Sequence, residues 1–186
     1  IKRERANGEV HFNGNVAGIM APYNMSVAGN LCYKNSNMDI AMTTMGEMGK
    51  IELEASYNIT NTIYNACLGI DRLSLVGIIP EIPLHNLTMS LEAQGEGLEI
   101  FDEATKYKIK SRIDTLYYAD YKFKSLSAEA TQEDCVSSVD IEGRNDSLSF
   151  NILAMTRLKA DAIENSTTIK LEKENSKKQE IELEFA

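Results

Sequence analysis

Lys50-Ile51-Glu52-Leu53-Glu54-Ala55-Ser56-Tyr57-Asn58-Ile59 is the stretch that decides the fold class. Side chains of an extended strand alternate between its two faces, so Ile51, Leu53, Ala55, Tyr57 and Ile59 point one way while Lys50, Glu52 and Glu54 point the other. A helix, with its period of 3.6, would mix the two sets. Upstream, Tyr23, Met25, Val27, Gly29, Leu31 and Tyr33 alternate with Asn24, Ser26, Ala28, Asn30 and Cys32. Met38, Ile40 and Met42 then alternate with Asp39 and Ala41, which predicts a hairpin around Lys34-Asn35-Ser36-Asn37.

Downstream the grammar persists. Leu87, Met89, Leu91 and Ala93 stand against Thr88, Ser90 and Glu92, and Tyr107 and Ile109 stand against Lys106, Lys108 and Lys110. Leu148, Phe150 and Ile152 continue it, then Ile169 and Leu171, and Glu180-Ile181-Glu182-Leu183-Glu184-Phe185 closes the series. These runs predict about a dozen strands joined by turns alone. Helix signals are scarce. The apolar run Leu73-Ser74-Leu75-Val76-Gly77-Ile78-Ile79-Pro80-Glu81-Ile82-Pro83-Leu84 cannot be a central strand, because Pro80 and Pro83 cannot donate to a ladder. It reads as a short helical turn or a proline-limited crossing, with a plug or lining for an apolar cavity as the functional alternative, and 76–86 is where an internal break is expected. Gly95 to Ala104 is an acidic connection without the ligand spacing of a calcium loop.

Composition bounds the function. The 186 residues carry 19 Lys+Arg and 28 Asp+Glu, a net charge of −9, which speaks against nucleic acid and anionic membrane surfaces as partners because phosphate neutralisation needs clustered cations. Cys32, Cys67 and Cys135 are widely spaced and the histidines are His11 and His85, so no metal site or thiol redox motif is expected and no cofactor is implied. A disulfide between two of the three cysteines stays open. Acids such as Glu52, Glu54, Glu92, Glu182 and Glu184 occupy outward strand positions, neither histidine has a nucleophile beside it, and no phosphate loop occurs, so an enzyme is not expected. Sequons at Asn24, Asn58, Asn86, Asn145 and Asn165 read as chance in an Asn-, Ser- and Thr-rich chain. The opening Ile1-Lys2-Arg3-Glu4-Arg5 leads straight into patterned sequence, as in a single β-rich fragment, 1–186, of a longer protein.

A dozen strands with one apolar face must cover that face with another sheet, close it into a barrel, or fold it into a trough that holds something apolar. Eight Met and no Trp favour an adaptable apolar surface. The ordered series from Leu73 to Leu84 and Leu87 to Phe101, then Ser111-Arg112-Ile113-Asp114-Thr115-Leu116-Tyr117-Tyr118, Tyr121 to Ala128 and Gly143-Arg144-Asn145-Asp146-Ser147-Leu148, resembles the TamB and AsmA-like family of the Bacteroidetes type. The resemblance covers roughly residues 62–160.

That resemblance implies an all-β fold, a meander of mostly antiparallel strands curled into a β-taco-like trough, with a closed β-sandwich as the alternative. It implies an internal segment of a periplasmic protein anchored in the inner membrane, belonging to a translocation and assembly module for the outer membrane. Phospholipid acyl chains would be the cargo, and a BamA-like outer-membrane barrel would be the partner of the full-length protein. The groove would be lined by Met25, Val27, Leu31, Met38, Ile40, Met42, Ile51, Leu53, Met89, Leu91, Ile109, Phe150 and Ile152. At about 0.8 kcal/mol per CH₂, a buried sixteen-carbon chain recovers on the order of 12 kcal/mol, so retention needs no polar contact. The rival reading is a surface adhesion or carbohydrate-binding sandwich with Tyr117, Tyr118 and Tyr121 as a sugar platform. A cut sheet also exposes edge strands through which fragments self-associate.

Overall fold

The computed structural model describes residues 7–17, 24–76, 81–99, 102–119, 121–145, 148–158, 163–173 and 179–185. They form β1 (Gly8–Ala17), β2 (Asn24–Lys34), β3 (Asn37–Gly46), β4 (Gly49–Asn58), β5 (Ile63–Leu73), β6 (Leu84–Glu96), β7 (Lys106–Tyr118), β8 (Tyr121–Glu133), β9 (Val136–Asn145), β10 (Leu148–Leu158), β11 (Ile163–Lys173) and β12 (Gln179–Phe185). The twelve strands lie side by side in chain order in one sheet. Each pairing is antiparallel, as short connections between consecutive strands require.

The register turns the alternation into two surfaces, because directly opposed residues share a face. One row runs Phe12, Gly29, Met42, Leu53, Leu68, Leu91, Ser111, Ala128, Ile141, Ile152, Ile169. The row beside it runs Val10, Leu31, Ile40, Ala55, Ala66, Ala93, Ile109, Ala130, Val139, Ala154, Thr167. On the opposite surface a row reads Glu54, Cys67, Glu92, Lys110, Glu129, Asp140. A sheet whose polar surface faces water thus carries its apolar residues on the other surface across eleven or more strands.

Nothing in the sheet covers that apolar surface. β1 and β12 each have one neighbour and do not pair with each other, so the sheet is not closed into a barrel. Two packed sheets about 10 Å apart would bury dozens of inward side chains. Among the described residues Leu73 is the only buried apolar one. The accessible surface is 13113 Å², whereas a compact monomer of 20.7 kDa exposes about 8,900 Å². The closed sandwich is therefore replaced by a single open sheet, consistent with a curled sheet or trough.

The connections follow local chemistry. Asn35 and Ser36 have φ of 51° and 68°, and Asp134 and Cys135 have 52° and 58°, the left-handed pairs that a two-residue hairpin needs. The hairpin expected at 34–37 is the first of these. A register shift falls between Thr88 and Met89, and three others fall between Ile70 and Leu73, between His85 and Thr88, and between Lys124 and Ser127. Each of these three carries one left-handed residue, Arg72 (φ 52°), Asn86 (48°) or Ser125 (57°), as a β-bulge does. In the proline-containing connection, the Leu75 amide donates to the Leu84 carbonyl (3.0 Å) and the Ala119 amide to the Pro83 carbonyl (2.8 Å). Gly77–Pro80, Ile100, Phe101, Asp146 and Ser147 lie outside the described residues. β5 and β6, the strands on either side of the connection, pair with each other.

Candidate functional site

The thirteen expected groove residues share one face. Met42, Leu53, Leu91 and Ile152 stand in the first row above, and Leu31, Ile40 and Ile109 in the second. Val27, Ile51 and Met89 stand in a third row, with Thr44 between the first two, Ile70 between the last two and Ile113 next after Met89, and Phe150 lies opposite Gly143 where that row reaches β10. Met25 and Met38 flank these rows at opposite ends of their strands. Twelve of the thirteen are half-buried, while Met38 is 37% exposed. Leu53 and Leu91 stand on either side of Leu68 in the same row. β6, β7 and β8 have 13 residues each, about 40 Å or more of extended chain.

The same face holds residues that alternation alone did not single out. At the first strand Val10 (58% exposed) and Phe12 continue the apolar surface. Three aromatic rings lie across facing glycines: Phe12 over Gly29, Tyr64 over Gly95 and Phe150 over Gly143, each pair directly opposed in the ladder. Glycine leaves room for a neighbouring ring to lie flat on the backbone, so the surface stays smooth where a ring would otherwise stand proud.

One border of the apolar face is polar. Tyr33, Met38, Tyr57, Tyr64, Gly95, Tyr107, Gln132, Ser137, Thr156 and Asn165 form a row at the end of the strands. The Tyr107 hydroxyl and Ser137 Oγ are 3.1 Å apart, and Thr156 Oγ1 donates to Asn165 Oδ1 at 2.8 Å. Burial, and then the neighbouring Tyr107, push the Tyr64 phenol above its ordinary value, so it stays a neutral donor. Tyrosine, with an apolar body and a polar tip, suits a border between an apolar surface and water.

The opposite surface is a lattice of ion pairs. Lys108 Nζ meets Glu129 Oε1 at 2.7 Å, Lys110 Nζ meets its Oε2 at 3.6 Å, and Lys106 Nζ meets Glu133 Oε1 at 3.0 Å. A depression of about 600 Å³ among these side chains is bordered by Asn65, Gln94, Lys106, Lys108, Thr131 and Glu133, and others of 400, 320 and 240 Å³ also fall mostly between outward residues. They are channels between long polar side chains, several already paired, with no convergent reactive group. His11, exposed, lies 3.2 Å from Glu9. Cys32, Cys67 and Cys135 are free thiols. Among the described residues no group of His, Cys, Asp or Glu is placed to hold a metal ion, and no helix is long and apolar enough to cross a membrane. The alternation along β7 sets Tyr117 on the face opposite to Tyr118, with Lys122 Nζ 5.0 Å from the Tyr117 ring centre, and the side chain of Tyr121 lies outside the described residues.

No protein-family model matches the chain, and neither a curated protein nor a solved structure matches it.

Proposed function

We propose that this chain is a segment of a TamB-like, periplasm-spanning protein that shields phospholipid acyl chains on its apolar face, for transport to the outer membrane and assembly of that membrane. The observation that carries the reading is the mainly apolar surface of a twelve-strand open sheet in which a single apolar residue is buried among the described residues. So large an uncovered apolar surface marks a site of interaction. At about 4.8 Å per strand the face runs some 50 Å across the sheet. The three apolar rows are nearly equivalent from strand to strand, which lets an acyl chain move along them without leaving a specific pocket. No catalytic group takes part. Localisation in the periplasm, anchoring in the inner membrane and partnership with a BamA-like barrel follow from the family resemblance and belong to the full-length protein. The carbohydrate-binding alternative has less support, since Tyr117 does not share a face with Tyr118.

Native mass spectrometry of the purified protein, followed by lipid extraction, tests the proposal. Co-purified phospholipid is expected from the wild type and from Glu52→Gln, and is expected to be lost in Leu53→Glu/Leu91→Glu, which puts two charges into one apolar row. A lipid-free wild type that also takes up no fluorescent acyl chain would overturn it.

A further inference from the structure

We infer that the trough has a headgroup station at its tyrosine border, where Gln132 accepts a hydrogen bond from the primary ammonium of an ethanolamine-type phospholipid. The inference rests on the acyl-chain reading above and adds to it the class of lipid. Gln132 is 2% exposed, the largest fully buried side chain among the described residues. Its Nε2 donates to the Thr105 carbonyl at 3.4 Å. That carbonyl can only accept, so the orientation of the carboxamide is fixed and Oε1 is the atom left over. Oε1 has no hydrogen-bond partner. A buried acceptor without a donor is disfavoured, and where a fold retains one the missing donor is the first thing to look for.

The surroundings state what that donor must be. Tyr107 on β7 and Ser137 on β9 are the register partners of Gln132 on either side. For the Tyr107 hydroxyl to reach Ser137 at 3.1 Å, its side chain must cross two strand spacings, about 9.6 Å, directly over Gln132. The Tyr107 side chain thus leans across β8 at Gln132, and in the proposed station it turns aside to admit the headgroup to Oε1. The adjoining row, Ile109, Ala130 and Val139, is apolar. From the border to the third row is six residues, about 20 Å of strand, so a lipid with its head at Gln132 lays an acyl chain across all three apolar rows. A carboxamide oxygen selects a donor: the ethanolamine ammonium offers three N–H groups and a choline trimethylammonium offers none.

Lysophosphatidylethanolamine and lysophosphatidylcholine of the same acyl chain share phosphate, glycerol and net charge, and isothermal titration of the full chain with each, below micelle formation, separates the terms. The ethanolamine form is expected to bind about tenfold tighter, the effect of one charge-assisted hydrogen bond. In Gln132→Leu the two affinities are expected to converge on that of the choline form. Equal affinities in the wild type would overturn the station and leave the acyl-chain reading standing. Failure of both lipids to bind would overturn the acyl-chain reading and the station with it. Glycerophosphoethanolamine, which has no chain, is the last arm: competition as strong as that of the lipid would assign the site to a soluble amine and overturn a lipid station.

Discussion

Gly29 and Gly69 show how much a single Cβ reports about the two faces. A Cβ at Gly29, on the apolar face, would meet the Phe12 ring at 2.5 Å and crowd the Ala41 carbonyl, which is backbone and cannot swing aside. At Gly69, on the charged face, it would meet nothing within 4 Å. Gly29→Ala is therefore expected to lower stability by about 1–3 kcal/mol, the usual cost of overpacking. Gly69→Ala is expected to be neutral or to stabilise by up to about 1 kcal/mol, because glycine in a strand interior is entropically costly. Urea denaturation of both variants checks this, and equal destabilisation would mean that the two faces are equally crowded. The polar residues of the apolar face are the part that alternation hides. Thr44 and Gln132 occupy inward positions with unpartnered oxygens, and a period-two pattern treats them as it treats Ile or Leu.

At the scale of the strand, the outward charges of β7 and β8 hold register. Lys106, Lys108 and Lys110 alternate along β7 and meet Glu133 and Glu129 of β8. A one-residue slip would turn every one of these pairs onto the apolar face. The hydrogen bond from Lys108 holds the Glu129 carboxyl below its ordinary value of 4.5, desolvation pulls it the other way, and the Lys108 and Lys110 charges add to the lowering. A depressed carboxylate contributes stability that is present above its unfolded-state pKa and is lost as pH falls through the folded value, which here lies below 4.5. Stability of the wild type is thus expected to exceed that of Glu129→Gln at pH 7 in low salt, with the gap closing below about pH 4 and shrinking in salt because the pair is exposed. Urea midpoints at the two pH values read it out, and a gap independent of pH would assign the effect to packing. Strand positions were legible from Ile51–Ile59 outward because one face is apolar and the period is two. The bulges were not, since Arg72, Asn86 and Ser125 adopt left-handed backbone without the glycine that would announce it. The hairpin at Asn35-Ser36 was legible, because Asn tolerates that conformation and stands between two alternating runs.

For the whole molecule, the proposed function makes a bound amphiphile part of its stability, because Leu73 is the one apolar residue buried among the described residues. Each described strand pairs only with its neighbours in the chain, as in a repeat protein, where stability is a sum of local terms. Sequence could establish the sidedness of the sheet, but whether a second layer covers the apolar side depends on how the whole meander curves, and no local pattern encodes that. With 13113 Å² exposed, the sheet buries less apolar surface than a compact domain of its mass, so an amphiphile on the apolar face adds burial that the fold itself lacks. Binding to the folded state alone stabilises by RT ln(1 + [L]/Kd), about 2.7 kcal/mol at a hundredfold excess over Kd. Protein stripped of lipid is therefore expected to unfold at lower urea than protein with lysolipid at that excess, by an amount that grows with the logarithm of lipid concentration. Leu53→Glu/Leu91→Glu is expected to abolish the increment while Glu52→Gln retains it, because Leu53 and Leu91 bracket Leu68 in one apolar row and Glu52 lies on the other surface. An increment of the same size in all three proteins would place the amphiphile elsewhere than on the apolar rows.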